Sequence, residues 1–189
     1  PPFQAEDGIR DGIVRLVGSE MCIRDSPNTV LDLRTAVWPD DFLTTAADVE
    51  VRFGSADMVA QDATRLDPSF LVAVATPALA KTDKAGKPVP LIQPDGLSTT
   101  WADVRKNAAA DIRVDTHGLA VDLACRGAGI ALTHNLIAAE AVRAGHLTRI
   151  DLPEIAASEG YYVAVKSPAV NDLAPAFAEW LRGIAADIG

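Results

Sequence analysis

The sequence predicts an α/β protein with a mostly parallel sheet or sheets. Short apolar stretches typical of buried strands alternate with amphipathic stretches of helical spacing, and threonine, asparagine, proline or glycine stands at many of the joints. The 189 residues, 49% of them hydrophobic, suffice for one folded unit or two small lobes. A net charge of −9 disfavours contact with nucleic-acid phosphates, and no run of ~18 apolar residues predicts a membrane span.

The first 26 residues are not expected to be native protein sequence. Residues 4–11 read QAEDGIRD and residues 16–26 read LVGSEMCIRDS. These resemble in-frame translations of a short-read flow-cell adapter and of a transposon-end library primer, and residues 12–15 lie where a sample index would sit. We therefore assign residues 1–26 as adapter-derived and non-native, and expect the native sequence to begin at Pro27.

Two strands are predicted before residue 60. Residues 29–36 alternate apolar and polar side chains, which is the period of a strand. Val49–Gly54 repeats that alternation and ends at a glycine, where a turn is common. Between them, Asp41–Thr45 is long enough for a short turn of helix.

A buried strand and a capped helix follow. Phe70–Ala75 is a continuous apolar run, typical of a strand buried on both faces. Thr76 is placed to cap the next helix and Pro77 to begin it, so we expect backbone N–H groups to face a cleft here. Lys81–Pro90 predicts a surface loop, and Leu91–Gln93 a short strand.

The second half of the chain repeats the pair of strand and helix twice. Strands are predicted at Ile112–Asp115 and Ile130–Thr133, and helices over residues 119–126 and 136–143. We expect Asn135 to cap the second of these helices. The apolar face of the first helix is predicted to consist of Leu119, Ala120, Leu123 and Ala124.

The chain is predicted to end with two strands and a long helix. The strands are residues 147–150 and Tyr161–Lys166, and the helix is Val170–Ile188. The apolar positions that recur at helical spacing in that helix are Leu173, Phe177, Trp180, Leu181 and Ile184.

Polar residues and glycines stand at the ends of several predicted strands. In open α/β sheets, ligands bind beyond the carboxyl ends of the strands, so these positions are candidates to line one cleft. Each of them taken alone is equally compatible with ordinary capping and turn chemistry. The candidate ligand-binding residues are Arg52, Gly54, Thr76, Pro77, Thr116, His117, Thr133 and His134.

No catalytic, metal or cofactor motif is recognisable. The segment 127–129 follows a helix and precedes a strand, the wrong context for a phosphate-binding glycine loop. No G-x-S-x-G motif is present, and His117, His134 and His146 lack metal-ligand spacing. Cys125 lies in an apolar helical pattern that favours an inert thiol. We therefore expect no catalytic residues, no metal site and no cofactor.

Five stretches in order resemble the effector-binding domain of LysR-type transcriptional regulators. Together they extend the resemblance over residues 27–189, with the order and gaps of that family. The stretches are Asp48–Gly54, Leu71–Leu79, Ala124–Leu132, Ala144–Leu147 and Phe177–Leu181. One departure is that family members usually carry a proline where this chain has Thr133 and His134.

The resemblance implies the type 2 periplasmic-binding-protein fold, in which two Rossmann-like lobes are joined by two crossover strands, here near Phe70–Ala75 and Tyr161–Lys166. The expected limits are residues 27–71 and 162–189 for an incomplete first lobe, and residues 72–161 for the second. A small effector is expected between the lobes. We expect it to be anionic, with Arg52 as its cationic partner.

The resemblance also implies a DNA-binding regulator whose winged helix-turn-helix is missing from this chain. We expect a cytoplasmic homodimer or homotetramer in the full-length protein, with no membrane partner. An alternative is a solute-binding protein of a transporter, which the upstream sequence would distinguish by a secretion signal. A third reading is an enzyme of the same fold such as a dehydratase, for which Glu50 and Asp122 are the nearest candidate carboxylates.

Overall fold

The computed structural model describes residues 30–34, 47–59, 62–66, 70–153, 155–166 and 173–188. The segment assigned as non-native and the helical turn predicted at Asp41–Thr45 lie outside these ranges. Residues 30–34 have no regular secondary structure, so the strand predicted over residues 29–36 is wrong for its described part. The physical reason is that no described strand pairs with them, and an unpaired alternating segment has no ladder to join.

The described residues form nine strands and five helices. In chain order they are β1 (Val49–Ser55), β2 (Thr64–Arg65), β3 (Phe70–Ala75), α1 (Pro77–Lys84), β4 (Leu91–Pro94), α2 (Trp101–Val104), β5 (Ile112–Val114), α3 (His117–Cys125), β6 (Ile130–His134), α4 (Asn135–Arg143), β7 (Thr148–Arg149), β8 (Ile155–Ala156), β9 (Glu159–Val165) and α5 (Leu173–Ala186). Strands and helices alternate from β3 to β7, as the sequence predicts, and β7, β8 and β9 then follow one another without a helix between them.

The first sheet contains three described strands in the order β1-β9-β2, with both outer strands antiparallel to β9. Val49 pairs with Val165 at one end of the β1–β9 ladder and Ser55 with Glu159 at the other. Helix α5 packs its buried alanines, Ala178 and Ala185, into the core that this sheet shares with the rest of the molecule.

The second sheet has the order β5-β4-β6-β3-β7, and β8 also pairs with β3. Strands β5, β4 and β6 are parallel, whereas β3 runs antiparallel to β6, β7 and β8. The expectation of mostly parallel sheets is therefore wrong for the described strands. An apolar run identifies a buried strand but carries no information on its direction, and β3 enters this sheet from the first one.

The chain passes from the first sheet to the second between Arg65 and Phe70, and returns between Ala156 and Glu159. The strands predicted as crossovers each lie wholly within one sheet, beside a crossing. The lobe limits at residues 71 and 161 stay predictions. Two crossings between two sheets are the arrangement on which a hinged cleft depends.

Two helices begin at a threonine cap, and of these two caps the sequence predicts Thr76. Thr76 and Thr116 each accept a hydrogen bond from the backbone N–H three residues on, at 3.4 and 3.2 Å. The loop predicted from Lys81 is wrong at its start, because α1 continues to Lys84. The cap predicted at Asn135 is also wrong.

Asn135 is instead the first residue of α4, and His134 precedes it as the cap residue. The Asn135 side chain accepts a hydrogen bond from Arg149 at 2.6 Å and donates to the Ile188 carbonyl at 3.4 Å. Because these longer-range partners engage its amide, Asn135 does not cap the helix.

Two predicted apolar faces are shifted. Leu119 is 41% exposed, and α3 buries Val121 in addition to the predicted Ala120 and Ala124. In α5, Leu173 and Ile184 are exposed, whereas three alanines are buried. Close approach of helix to sheet favours the small residues. In the part of the chain that the structure describes, no helix has the length and apolar character required to cross a bilayer.

Candidate functional site

The carboxyl ends of β4, β5 and β6 lie at one edge of the second sheet because these strands are parallel. Thr116 and His117 follow β5, and Thr133 and His134 end β6. The structure therefore brings four of the predicted site residues together at this edge, and hydrogen bonds join three of them, His117, Thr133 and His134. We call this edge of the second sheet, formed by the carboxyl ends of β4, β5 and β6, the cleft edge.

Four rings meet at the cleft edge, two of them from the first sheet. These two are Phe53 of β1 and Tyr161 of β9; His134 ends β6 of the second sheet, and His117 begins α3, which follows β5 of that sheet. The Phe53 ring lies 4.8 Å from the His117 ring and 4.9 Å from the Tyr161 ring between centroids, and His134 lies 5.4 Å from Tyr161. These contacts, hereafter the ring cluster, link the two sheets.

Gly96, just after β4, forms one wall beside the Phe53 ring. A Cβ at this position would lie 3.2 Å from Phe53 Cε1, closer than van der Waals contact allows without displacement of the ring. Gly96 also has a φ of +83°, which favours glycine over other residues. The space that the Phe53 ring occupies, hereafter the Phe53 seat, therefore depends on the glycine at residue 96.

His117 is held in one orientation by two neighbours on β6. Its Nδ1 accepts the backbone N–H of His134 at 3.3 Å and lies 3.0 Å from the hydroxyl of Thr133. A backbone N–H only donates, so Nδ1 is unprotonated and, in the neutral ring, the proton is on Nε2. Among the described residues no hydrogen-bond partner lies within reach of that buried Nε2.

Both histidines are neutral at ordinary pH. His117 is 4% exposed, and burial, with a smaller contribution from the charge of His134, lowers its pKa to about 3. Burial, with a smaller contribution from the positive charge of Arg65, lowers the pKa of His134 to about 4. The ring cluster is therefore an uncharged, largely aromatic environment.

A buried carboxylate lies beside the ring cluster at the start of β9. Glu159 is 8% exposed, and its oxygens accept hydrogen bonds from the Ser98 backbone N–H at 3.2 Å and from the Ser98 hydroxyl at 3.3 Å. Burial raises the pKa of Glu159, but hydrogen bonds from its own backbone, Ser98 and Ser158 outweigh that effect and lower it. Glu159 is thus a fixed anion that ties β9 to the loop after β4.

Four other predicted site residues do not join the ring cluster. Thr76 and Pro77 follow the carboxyl end of β3, which is antiparallel to β6, so they lie at the opposite edge of the second sheet. Arg52 is adjacent to Phe53 in β1, so its side chain points to the other face of the strand, where it pairs with Glu50 at 2.5 Å. Gly54 is buried on that strand and contributes no side chain.

The alternative catalytic carboxylates are engaged elsewhere. Glu50 forms an ion pair with Arg52, and Asp122 forms one with Arg126 at 2.9 Å on the outer surface of α3. Within the described ranges, no group of three histidine, cysteine or acidic residues has the spacing of a metal site.

Sequence reasoning missed Phe53, Gly96, Glu159 and Tyr161. Phe53 and Tyr161 lie on the apolar face of their strands, so the sequence signal for both is indistinguishable from that of core residues. Their pairing in register across β1 and β9 places them side by side. Only the tertiary structure shows that this pair faces the second sheet.

Comparison with known families identifies one match over most of the chain. The sequence profile of the LysR substrate binding domain matches residues 22–186. This match begins before Pro27, within the segment assigned as non-native. No match to this chain is found among functionally curated proteins.

Three solved structures of regulators are similar to this chain. The effector domain of AmpR from Pseudomonas aeruginosa gives a TM-score of 0.66 at 21% identity, over 89% of this chain and 86% of that one. The regulatory domain of CrgA from Neisseria meningitidis, a LysR-type transcriptional regulator, gives 0.65 at 17% identity, over 90% of each chain. These likenesses confirm the α/β fold of type 2 periplasmic-binding proteins.

The third structure is the full-length virulence activator AphB from Vibrio cholerae. Its TM-score is 0.57 at 15% identity, and the likeness covers 87% of this chain and 61% of AphB. This chain thus spans about three-fifths of that full-length protein.

Proposed function

We propose a function from the premise that this chain belongs to the LysR substrate-binding domain family. It is the effector-sensing domain of a LysR-type transcriptional regulator, and it binds a small molecule between its two lobes. The observation that carries the location is the ring cluster, which joins residues of both sheets at the cleft edge. A ligand placed there contacts both lobes, so it shifts the equilibrium between their relative orientations.

We propose an anionic effector, as the sequence analysis expects. Arg52 remains one candidate partner, although its side chain is on the strand face opposite Phe53. Arg65 of β2 is a second, because its charge acts on His134 within the ring cluster. Arg65 also donates to the carbonyls of Ala157 and Glu159 at 3.3 and 3.1 Å, beside the return crossing.

The remaining parts of the proposed function concern the whole regulator. We propose that DNA binding belongs to a winged helix-turn-helix outside this chain, that the full-length protein is a cytoplasmic homodimer or homotetramer, and that this domain has no catalytic activity. Support for the last point is that Glu50 and Asp122 each pair with an arginine away from the ring cluster.

The test is a thermal-unfolding screen of the 189-residue chain against a panel of small organic acids. A compound present at 100 times its Kd stabilises the native state by about 2.7 kcal/mol, which raises Tm by several degrees. We expect at least one such acid to do so, and to shift the NMR signals of the His117 and His134 rings. The matched control is the primary alcohols of the same carbon skeletons, which carry neither the negative charge nor the carbonyl oxygen.

Two outcomes contradict the proposal. If no acid raises Tm, the chain does not bind small anions. If an acid raises Tm but leaves both histidine rings unperturbed, the ligand binds elsewhere than the cleft edge.

A further inference from the structure

The seat of the Phe53 ring has features of a ligand subsite. Its walls are the rings of His117, His134 and Tyr161 and the backbone of Gly96. The three ring centroids lie 4.8, 6.5 and 4.9 Å from that of Phe53, within the range of aromatic contacts. A space with these walls accepts a flat ring. It has no room for a bulky substituent on the side of that ring that faces Gly96.

Phe53 is the member of the ring cluster that can leave. It is half-buried, whereas His134 is fully buried and His117 is nearly so. Phe53 belongs to the first sheet. Three of its neighbours lie on or beside the second sheet: His134 ends β6, His117 begins α3 after β5, and Gly96 lies in the loop after β4. Separation of the two sheets would therefore withdraw Phe53 together with Tyr161 of β9, and leave the walls formed by Gly96, His117 and His134 in place.

His117 presents a polar atom that the described residues leave unused. Its Nδ1 is committed to the backbone N–H of His134, so its Nε2 carries the proton as a donor. That Nε2 is buried, with no acceptor among the described residues. A buried donor without an acceptor is unfavourable, and an oxygen atom supplied from outside would satisfy it.

We propose that the seat now filled by the Phe53 ring is the subsite for a flat ring of the effector, and that His117 Nε2 donates a hydrogen bond to a carbonyl or carboxylate oxygen borne by that ring. This inference rests on the proposed function and names the chemical class of its ligand. Phe53 is then the resident competitor that keeps the subsite filled in the absence of effector.

The experiment measures binding of benzamide by calorimetry to the 189-residue chain and to its Phe53→Leu variant. Benzamide has a flat ring and a neutral acceptor oxygen, so its binding reports on the ring and the His117 donor without a contribution from ligand charge. We expect Phe53→Leu to bind it about tenfold more tightly than wild type, since a smaller resident side chain has to leave. Phe53→Ala should give a larger gain, and Phe53→Leu carries the result if the alanine variant fails to fold.

Two controls separate this subsite from a simple cavity. Acetamide, which has the acceptor but no ring, should bind wild type and Phe53→Leu equally. Adding His117→Phe to Phe53→Leu keeps a ring but removes the donor, and should abolish the tenfold gain. The ¹⁵N signal of His117 Nε2 should shift with benzamide and not with acetamide.

The inference is overturned if benzamide binds wild type and Phe53→Leu alike, or if the His117→Phe change leaves its affinity unaltered. These failures are distinguishable from failure of the proposed function. An organic acid that stabilises the chain and perturbs both histidines, but binds wild type and Phe53→Leu equally, supports an effector site that does not include the Phe53 seat.

Discussion

Thr76 and Thr116 occupy equivalent positions at opposite edges of the second sheet. Each follows a strand and caps a helix by accepting the N–H of the third residue on. Thr116 adjoins the ring cluster at the cleft edge, whereas Thr76 lies at the other edge, hereafter the far edge, with Gly129 at the start of β6. Identical local chemistry therefore does not define a ligand site; what distinguishes the cleft edge is that the first sheet faces it.

The largest expected effect concerns protonation at the cleft edge. Folding lowers the pKa of His117 to about 3 and of His134 to about 4, whereas both are near 6.5 in the unfolded chain. Below pH 6.5 the unfolded chain takes up protons that the folded chain does not, so the free energy of unfolding falls as the pH drops towards 4.

The cost is about 1.4 kcal/mol per pH unit for each histidine, and urea denaturation at pH 7, 6 and 5 measures it. The contribution is fully present above pH 6.5. The His117→Phe variant should lose about half of this dependence. A profile that is flat between pH 7 and 5 would show that the two rings are not buried in the folded chain.

The next effect tests the far edge. A Cβ on Gly129 would lie 2.5 Å from the Pro90 carbonyl oxygen, a backbone atom that has little freedom to move. Gly129→Ala should therefore destabilise the fold by on the order of 2 kcal/mol, measured by urea denaturation. The NMR signals of the ring cluster should change little, because the strain arises at the other end of β4 and β6. Large shifts at His117 would show that the two edges are coupled.

The smallest effect distinguishes the two threonines directly. Thr76→Ala and Thr116→Ala should each cost about 1 kcal/mol, since each removes one helix cap. Only Thr116→Ala should alter the ring signals of His117, the first residue of α3. Equal perturbation of His117 by both variants would remove the distinction between the edges.

The sequence predicts most of the strands because burial and alternation are local properties. Val49–Gly54, Phe70–Ala75 and Ile112–Asp115 agree with β1, β3 and β5 to within one residue. Strand direction is not a local property, so the antiparallel course of β3 was not predicted. For the same reason the position of Thr76 at the far edge was not predicted either. The convergence of Thr116, His117, Thr133 and His134 was predicted because β5 and β6 are parallel.

The first-sheet half of the site was harder to predict. Phe53 and Tyr161 have the pattern of core residues, and their neighbours Arg52 and Tyr162 are on the opposite face of the sheet. A one-residue difference along the strand thus separates the charged candidate from the aromatic one. Glu159 could not be recognised because its partner, Ser98, is 61 residues away.

The pairing of β3 has a mechanical consequence. Phe70, the first residue of β3 in the second sheet, pairs with Ala156, the last residue of β8 before the chain returns to the first sheet. The next residue, Leu71, pairs with Ile155 on one side and with His134 on the other. The two crossings between the sheets and the wall of the cleft are therefore joined through adjacent residues of one strand, β3. A twist at the crossings reaches His134 through that strand, without a flexible segment to absorb it.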